Sequence, residues 1–102
     1  MIERYTPIGD EAITVNTAVG FTAAKILPTA GIAANRYADA VFLSVETDAI
    51  RFRFSGVPTA SVGHLLSVGD SMLIEGADSV STFQMIKVTN NASVYATYFR
   101  LR

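Results

Sequence analysis

Cysteine and tryptophan are both missing from this chain of 102 residues, and histidine occurs once, at position 64. Without cysteine the chain forms no disulfide and offers no thiolate to a metal ion. Zinc and non-haem iron sites need several converging ligands, and no acidic residue near His64 has the spacing of a metal-ligand motif. We therefore expect no metal and no other cofactor.

Charge is also scarce. Charged residues make up 17% of the chain, and 8 basic against 9 acidic residues give a net charge of −1. This balance argues against a nucleic-acid partner. The longest uncharged run, residues 54–69, is broken by glycine, proline and polar residues, so no membrane span is predicted. Because half of the residues are apolar, weakly charged surface must be exposed, which favours a homo-oligomer or larger assembly over a charge-poor monomer.

Motifs of catalysis are missing too. Ser61 and Ser67 flank His64, but the G-x-S-x-G turn of serine hydrolases occurs nowhere in the chain. The acidic residues are scattered, and most precede or follow predicted strands, where they favour turns and solubility. Asp70 follows Gly69 and is expected to bind the backbone of its own turn. A catalytic pair of carboxylates that only folding brings together, as in glycoside hydrolases, stays open as an alternative. The prediction is nevertheless that the protein is not an enzyme and has no small-molecule substrate.

The chain does contain segments in which apolar and polar residues alternate with a period of two residues. In the segment 50–54 apolar residues alternate with Arg51 and Arg53, as expected for a strand with one buried face and one solvent-exposed face. The two arginines then share the solvent-exposed face. Cross-strand ion pairs with Glu46 or Glu75 are one interpretation of their role, and direct contact with a partner is the other.

Short strands of this kind are predicted along most of the chain, with turns between them. The predicted strands are 12–16, 21–27, 38–46, 50–54, 71–75, 80–88 and 94–101. In the second of these, Ala23 and Ala24 leave a short helix as an alternative. Thr47-Asp48 and Asn90-Asn91 suit hairpin turns between the strands that they separate.

The fold expected from this pattern is all-β. An antiparallel β-sandwich or small barrel, jelly-roll or immunoglobulin-like, would contain about seven to eight short strands. Residues 1–11 are expected to form a loosely structured N-terminal arm, because Pro7 and Gly9 interrupt any regular pattern. Residues 12–102 would then be a single β domain, in which 27–37 and 56–70 form turns and loops.

Aromatic residues cluster near the C-terminus, at Tyr95, Tyr98 and Phe99. Core packing or anchoring at an interface is the expected role. In an alternative interpretation the protein is a glycan-binding module, for which Tyr37, Tyr95 and Tyr98 would have to form an exposed platform.

Six short stretches between residues 38 and 99 carry a resemblance to a known group of proteins. They are Ala49–Phe54, Gly56–Thr59, Val62–Leu66, Gly69–Ser71, Phe83–Lys87 and Tyr95–Phe99. In this arrangement of strands and turns the chain resembles the small β-sandwich structural proteins of tailed-bacteriophage virions, among them capsid decoration and cement proteins. No catalytic signature takes part in the resemblance.

The resemblance implies a non-enzymatic capsid decoration or cement subunit, made in the host bacterial cytoplasm and incorporated into the virion. Its partners would be capsid or other virion proteins, and it would stabilise the assembled shell. A head–tail or tail accessory protein, or a module that binds glycans on the host surface, is the alternative. Contacts are expected from the arm, from the uncharged segment 54–69 and from the arginine pair. The candidate interface residues are Tyr5, Ile8, Arg51, Arg53, Val57, His64 and Leu65.

Overall fold

The computed structural model describes residues 5–27 and 37–101, in which seven strands form two antiparallel sheets. The strands are β1 (Tyr5–Val15), β2 (Ala40–Val45), β3 (Ile50–Arg53), β4 (His64–Leu66), β5 (Ser71–Glu75), β6 (Gln84–Lys87) and β7 (Ala92–Leu101), and the helices are α1 (Ala23–Ile26) and α2 (Ala77–Thr82). The strand order is β1-β7-β2-β5 in the four-stranded sheet and β4-β3-β6 in the three-stranded sheet. The predicted all-β, sandwich-like fold is confirmed.

Neither of the two helices in residues 5–27 and 37–101 has the length and apolar character that crossing a membrane requires.

Strand β7 lies inside the four-stranded sheet, paired with β1 on one side and with β2 on the other. Its residues Val94, Ala96 and Tyr98 are completely buried, and the residues between them point to the opposite face. On β1, Ile13 and Val15 are buried as predicted. The alternation therefore fixes which face of this sheet belongs to the core.

Aromatic rings connect the two sheets through the core. Tyr98 meets Phe21 edge-on at 5.7 Å between ring centroids, Phe21 stacks on Phe83 at 4.8 Å, and Phe83 lies 5.4 Å from Phe52 of β3. Such ring pairs contribute about 0.5–1.5 kcal/mol each beyond the area that they bury. Phe83 takes part in two of these contacts and thus joins the three-stranded sheet to the rest of the core.

The expectation of a loosely structured arm is wrong for residues 5–11. They belong to β1, an 11-residue strand whose register shifts between Pro7 and Gly9. β1 is an edge strand, where the missing N–H of Pro7 needs no ladder partner. The irregularity is accommodated by the extra residue, Ile8, as a β-bulge rather than by an end to the strand. Residues 1–4 of the expected arm lie outside the described residues.

Both predicted hairpins are also wrong, because each turn joins strands that belong to different sheets. β2 and β3 on either side of Thr47-Asp48 do not pair, and neither do β6 and β7 on either side of Asn90-Asn91. The connection from β2 to β3 is held by β7, because the Ser93 amide of β7 donates to Thr47 Oγ1 at 2.9 Å. A turn sequence indicates that the chain reverses direction, but it does not decide which neighbour the next strand joins.

Three local predictions change as well. The predicted strand 80–88 is the end of α2 followed by β6, since Val80 and Phe83 are both buried at a spacing that suits a helical turn. The segment 21–27 contains helix α1, the alternative that its alanines left open. Residues 64–66, expected in a loop, form β4. The predicted turn and loop 27–37 fall for the most part outside the described residues.

We expect Phe83→Leu to lower the free energy of unfolding by about 1–3 kcal/mol, because it removes the ring that joins Phe21 to Phe52 and leaves a cavity. Phe42→Leu is the matched control, since Phe42 is 38% exposed on the outside of the four-stranded sheet, and should change stability by less than about 0.5 kcal/mol. Urea unfolding of both variants measures the difference. Equal losses would contradict the assigned core.

Candidate functional site

The seven candidate interface residues are divided between the two sheets. The three-stranded sheet, with the loop that joins β3 to β4, holds five of them: Arg51, Arg53, Val57, His64 and Leu65. The other two, Tyr5 and Ile8, lie on β1 of the four-stranded sheet. Ile8 is partly buried and packs against the core, so it offers little surface. We call the side of each sheet that points away from the core its outer face.

The outer face of the three-stranded sheet follows from the alternation in β3. Ile50 and Phe52 are buried, which turns Arg51 and Arg53 outwards as predicted. The strand register adds the neighbours of the arginines, and residues directly opposite one another share a face. The outward positions are Arg51, Arg53, Leu65, Gln84 and Ile86, which together we call the basic face. None of these outward positions carries an acidic residue.

Ion pairs of the arginines with Glu46 or Glu75 were predicted wrongly. Arg51 donates from Nε to the Ala60 carbonyl at 3.0 Å and from Nη1 to the Gly63 carbonyl at 2.9 Å. Arg53 Nη1 lies 3.4 Å from the carbonyl oxygen of Val57. These acceptors are neutral, so the arginines hold the β3–β4 loop without an acidic partner in the part of the chain that the structure describes.

Glu46 and Glu75 have other partners, both belonging to the four-stranded sheet. Glu46 Oε2 accepts from Ser44 Oγ at 2.9 Å, and Glu75 Oε2 accepts from the Tyr5 hydroxyl at 2.5 Å. The predicted ion pairs fail because the arginines and the acids lie on different sheets. Sequence separation gives no warning of this, since Glu46 precedes Arg51 by only five positions.

The loop between β3 and β4 adds exposed apolar side chains beside the basic face. Val57 is 58% exposed, and Leu65 at the centre of β4 is 51% exposed. Gly63, directly before β4, has φ +135°, and a Cβ there would lie 2.9 Å from the Phe52 carbonyl oxygen. Only glycine can occupy this position without displacing the loop. The loop backbone is thus held close to β3, and the Val57 side chain remains in solvent.

A cleft of about 390 Å³ opens beside this loop, lined by Arg53, Phe54, Ser55, Gly63 and His64. The His64 ring lies 5.3 Å from the Phe52 ring and is otherwise exposed. Within residues 5–27 and 37–101, no three His, Asp or Glu side chains are grouped as a metal site would need. The polar groups of the cleft can donate hydrogen bonds to a carbonyl or carboxylate of a partner.

The two serines that flank His64 in the sequence are held by local backbone contacts. The Ser61 amide donates to Thr59 Oγ1 at 3.3 Å, and the Ser67 amide donates to Asp70 Oδ2 at 2.8 Å. The second contact confirms that Asp70 binds the backbone of its own turn. These contacts shape the turns on either side of β4.

The outer face of the four-stranded sheet carries the opposite charge. Its outward positions on β1, β2, β5 and β7 include exposed or partly exposed apolar side chains and acids, but no basic residue among the described strands. Beyond the end of β2, Glu46 lies on the same side, because it accepts from outward-facing Ser44. The members that matter below are Asp10, Phe42, Glu46, Leu73, Glu75, Tyr95 and Thr97, which we call the acidic face.

Tyrosine hydroxyls bind two of these acids. The Tyr5 side chain crosses the outer face to reach Glu75 and covers Phe99, whose ring lies 6.1 Å away. Tyr95, 42% exposed, is hydrogen-bonded to Asp10, and this bond raises the pKa of its hydroxyl. No local pattern in the sequence indicates this face, because its acids come from segments far apart in the chain.

The third tyrosine of this sheet points into the core. Tyr98 is 0% exposed, and its hydroxyl donates to Glu11, which also accepts from Thr22 Oγ1 at 2.7 Å. Burial, and then the hydrogen bond and negative charge of Glu11, raise the pKa of Tyr98. Tyr98 therefore cannot share an exposed platform with Tyr37 and Tyr95, and the platform expected for a glycan-binding module is wrong.

Comparison of the chain with protein-family models, with curated proteins and with solved structures found no match.

We expect Tyr98→Phe to lower the free energy of unfolding at pH 7 by about 1–2 kcal/mol, since Glu11 loses a buried donor. Above pH 10, the usual pKa of tyrosine, the unfolded chain loses the Tyr98 proton while the folded chain keeps it. The stability of the unmodified protein then falls with rising pH, and the difference between protein and variant narrows. Urea unfolding at neutral and alkaline pH measures this difference.

Tyr95→Phe is the matched control for this experiment, because its hydroxyl is bonded to an acid at the surface and not in the core. Its effect on the free energy of unfolding at pH 7 should be clearly smaller than that of Tyr98→Phe. A difference between Tyr98→Phe and the unmodified protein that stays constant as the pH rises would refute the role given to the buried hydroxyl.

Proposed function

We propose that this chain is a non-enzymatic structural subunit of a tailed-phage virion, a decoration or cement subunit that binds the assembled capsid. The observation that carries the proposal is that both outer faces of the sandwich present apolar side chains in solvent. Phe42 and Tyr95 lie on the acidic face, Leu65 lies on the basic face, and Val57 lies on the loop between β3 and β4. The resemblance of residues 38–99 to virion proteins supplies the kind of assembly.

Two interacting faces on one rigid domain suit a protein that bridges neighbours. Each face combines apolar surface, which gains free energy when it is covered, with charge of one sign, which selects a partner of the opposite sign. The rings that join the sheets hold the faces in a constant relation to each other. A subunit of this kind can contact two capsomers at once.

Stabilisation of the shell would then follow from mass action. A site shared by two capsomers is complete only in the assembled shell, so binding favours the assembled state over its parts. Individual contacts can be weak, because many subunits act on one particle. No bond is made or broken in this mechanism, and the role requires no cofactor.

The proposal is tested on particles from the genome that encodes this chain, purified after deletion of its gene. Added protein should bind the deficient shells, raise the temperature at which they release their contents, and appear on the capsid surface by electron cryomicroscopy. Leu65→Glu, which places an acid on the basic face, should weaken binding by at least about tenfold. Ala24→Glu, an exposed substitution on α1, which belongs to neither face, should bind as the unmodified protein does.

Failure of the protein to bind either intact or deficient particles would refute the proposal. Localisation on the tail or at the head–tail junction would refute the decoration role and support the alternative of a tail accessory protein. Binding that is unaffected by Leu65→Glu would show that the basic face is not the surface used.

A further inference from the structure

We propose that copies of this chain associate head to tail, with the acidic face of one copy against the basic face of the next. This inference deepens the proposed function and rests on it for the setting, since it names a second copy as one partner of the outer faces. It is carried by the way the fold separates charge between the two sides of the sandwich.

The separation of charge is complete at the positions that define the faces. Asp10, Glu46 and Glu75 are the charged members of the acidic face, and Arg51 and Arg53 are those of the basic face. The chain as a whole is nearly neutral, at −1. The two faces therefore differ because the topology sorts the charges, not because the protein is acidic or basic overall.

Charges on both faces remain available to a neighbour. Arg51 and Arg53 bind carbonyl oxygens of their own loop, and no acid among residues 5–27 and 37–101 forms an ion pair with either guanidinium. The acids of the other face are bound by hydroxyls of serine and tyrosine, which are neutral as well. Each face therefore keeps its charge and attracts a face of the opposite sign.

Apolar side chains lie among these charges on both faces. The register places Phe42 between Leu73 and Thr97 on the acidic face. On the basic face it places Arg51 between Leu65 and Ile86. Interfaces between proteins combine apolar side chains with charged and polar groups, and both kinds of group are present on each of the two faces.

Charge also decides the symmetry of the contact. Two acidic faces would repel each other, and so would two basic faces, which disfavours a two-fold dimer through either face. Pairing unlike faces is a heterologous contact, which generates a ring or an open row of subunits.

The contact is small. Three strands spaced at about 4.8 Å, with three or four residues each, present a face only on the order of 10–15 Å across. This is less than the roughly 800 Å² per partner of a standard interface, so we expect a dissociation constant on the order of 100 μM in solution. Copies that are held side by side on a shell would associate far more readily.

Sedimentation velocity of the purified protein from about 10 μM to about 1 mM tests the inference. At about 20 mM salt the average mass should rise with concentration, and at about 500 mM salt it should return towards that of the monomer. Leu65→Glu places a negative charge on the basic face, and Thr97→Lys places a positive charge at the centre of the acidic face. Each variant alone should associate at least about tenfold more weakly than the unmodified protein.

The decisive sample is an equal mixture of the two variants. Leu65→Glu retains an intact acidic face and Thr97→Lys an intact basic face, so the mixture should associate although neither component does. A monomeric mixture, or loss of association in only one of the variants, would overturn the head-to-tail contact. Far-UV circular dichroism confirms that both variants are folded, and Ala24→Glu should associate like the unmodified protein.

The outcomes also separate this inference from the proposed function. Shell binding by a protein that stays monomeric at all concentrations overturns the head-to-tail contact and leaves the decoration role in place. Association of the copies without any binding to shells supports the contact and refutes the decoration role.

Discussion

The alternation along β7 is the constraint on which the rest of the molecule depends. β7 is hydrogen-bonded on both sides, and a slip of one residue would exchange its faces, sending Tyr95 inwards and Tyr98 outwards. The bond from Tyr98 to Glu11 and the contact of its ring with Phe21 hold the register. Once this strand is fixed, the positions of the acidic face are fixed as well.

Local patterns in the sequence predicted the parts of the fold that local burial decides. The alternation of apolar and polar residues identified β2 and β3 and placed Arg51 and Arg53 on one face, because strand periodicity depends only on which side is buried. The pairing of strands depends on segments far apart in the chain, and the predictions of pairing were wrong. The two predicted turns connect strands that belong to different sheets, and the segment that contains Pro7 and Gly9 forms an edge strand rather than an arm.

The candidate site shows the same division. Arg51, Leu65 and their loop are close in sequence and could be selected together, whereas the acidic face draws Asp10, Glu46 and Glu75 from three separate strand regions. Only the topology brings these acids to one side. The function proposed here depends on that sorting, since a structural subunit needs surfaces that distinguish one neighbour from another.

The most direct test of the central claim, that both outer faces meet other copies of the chain, is an NMR dilution series of ¹⁵N-labelled protein at low salt. The account predicts that amide signals of Asp10 and Thr97 on one sheet and of Arg51 and Leu65 on the other shift together with concentration, while that of buried Val94 does not. Signals that do not depend on concentration, or shifts confined to one sheet, would contradict it.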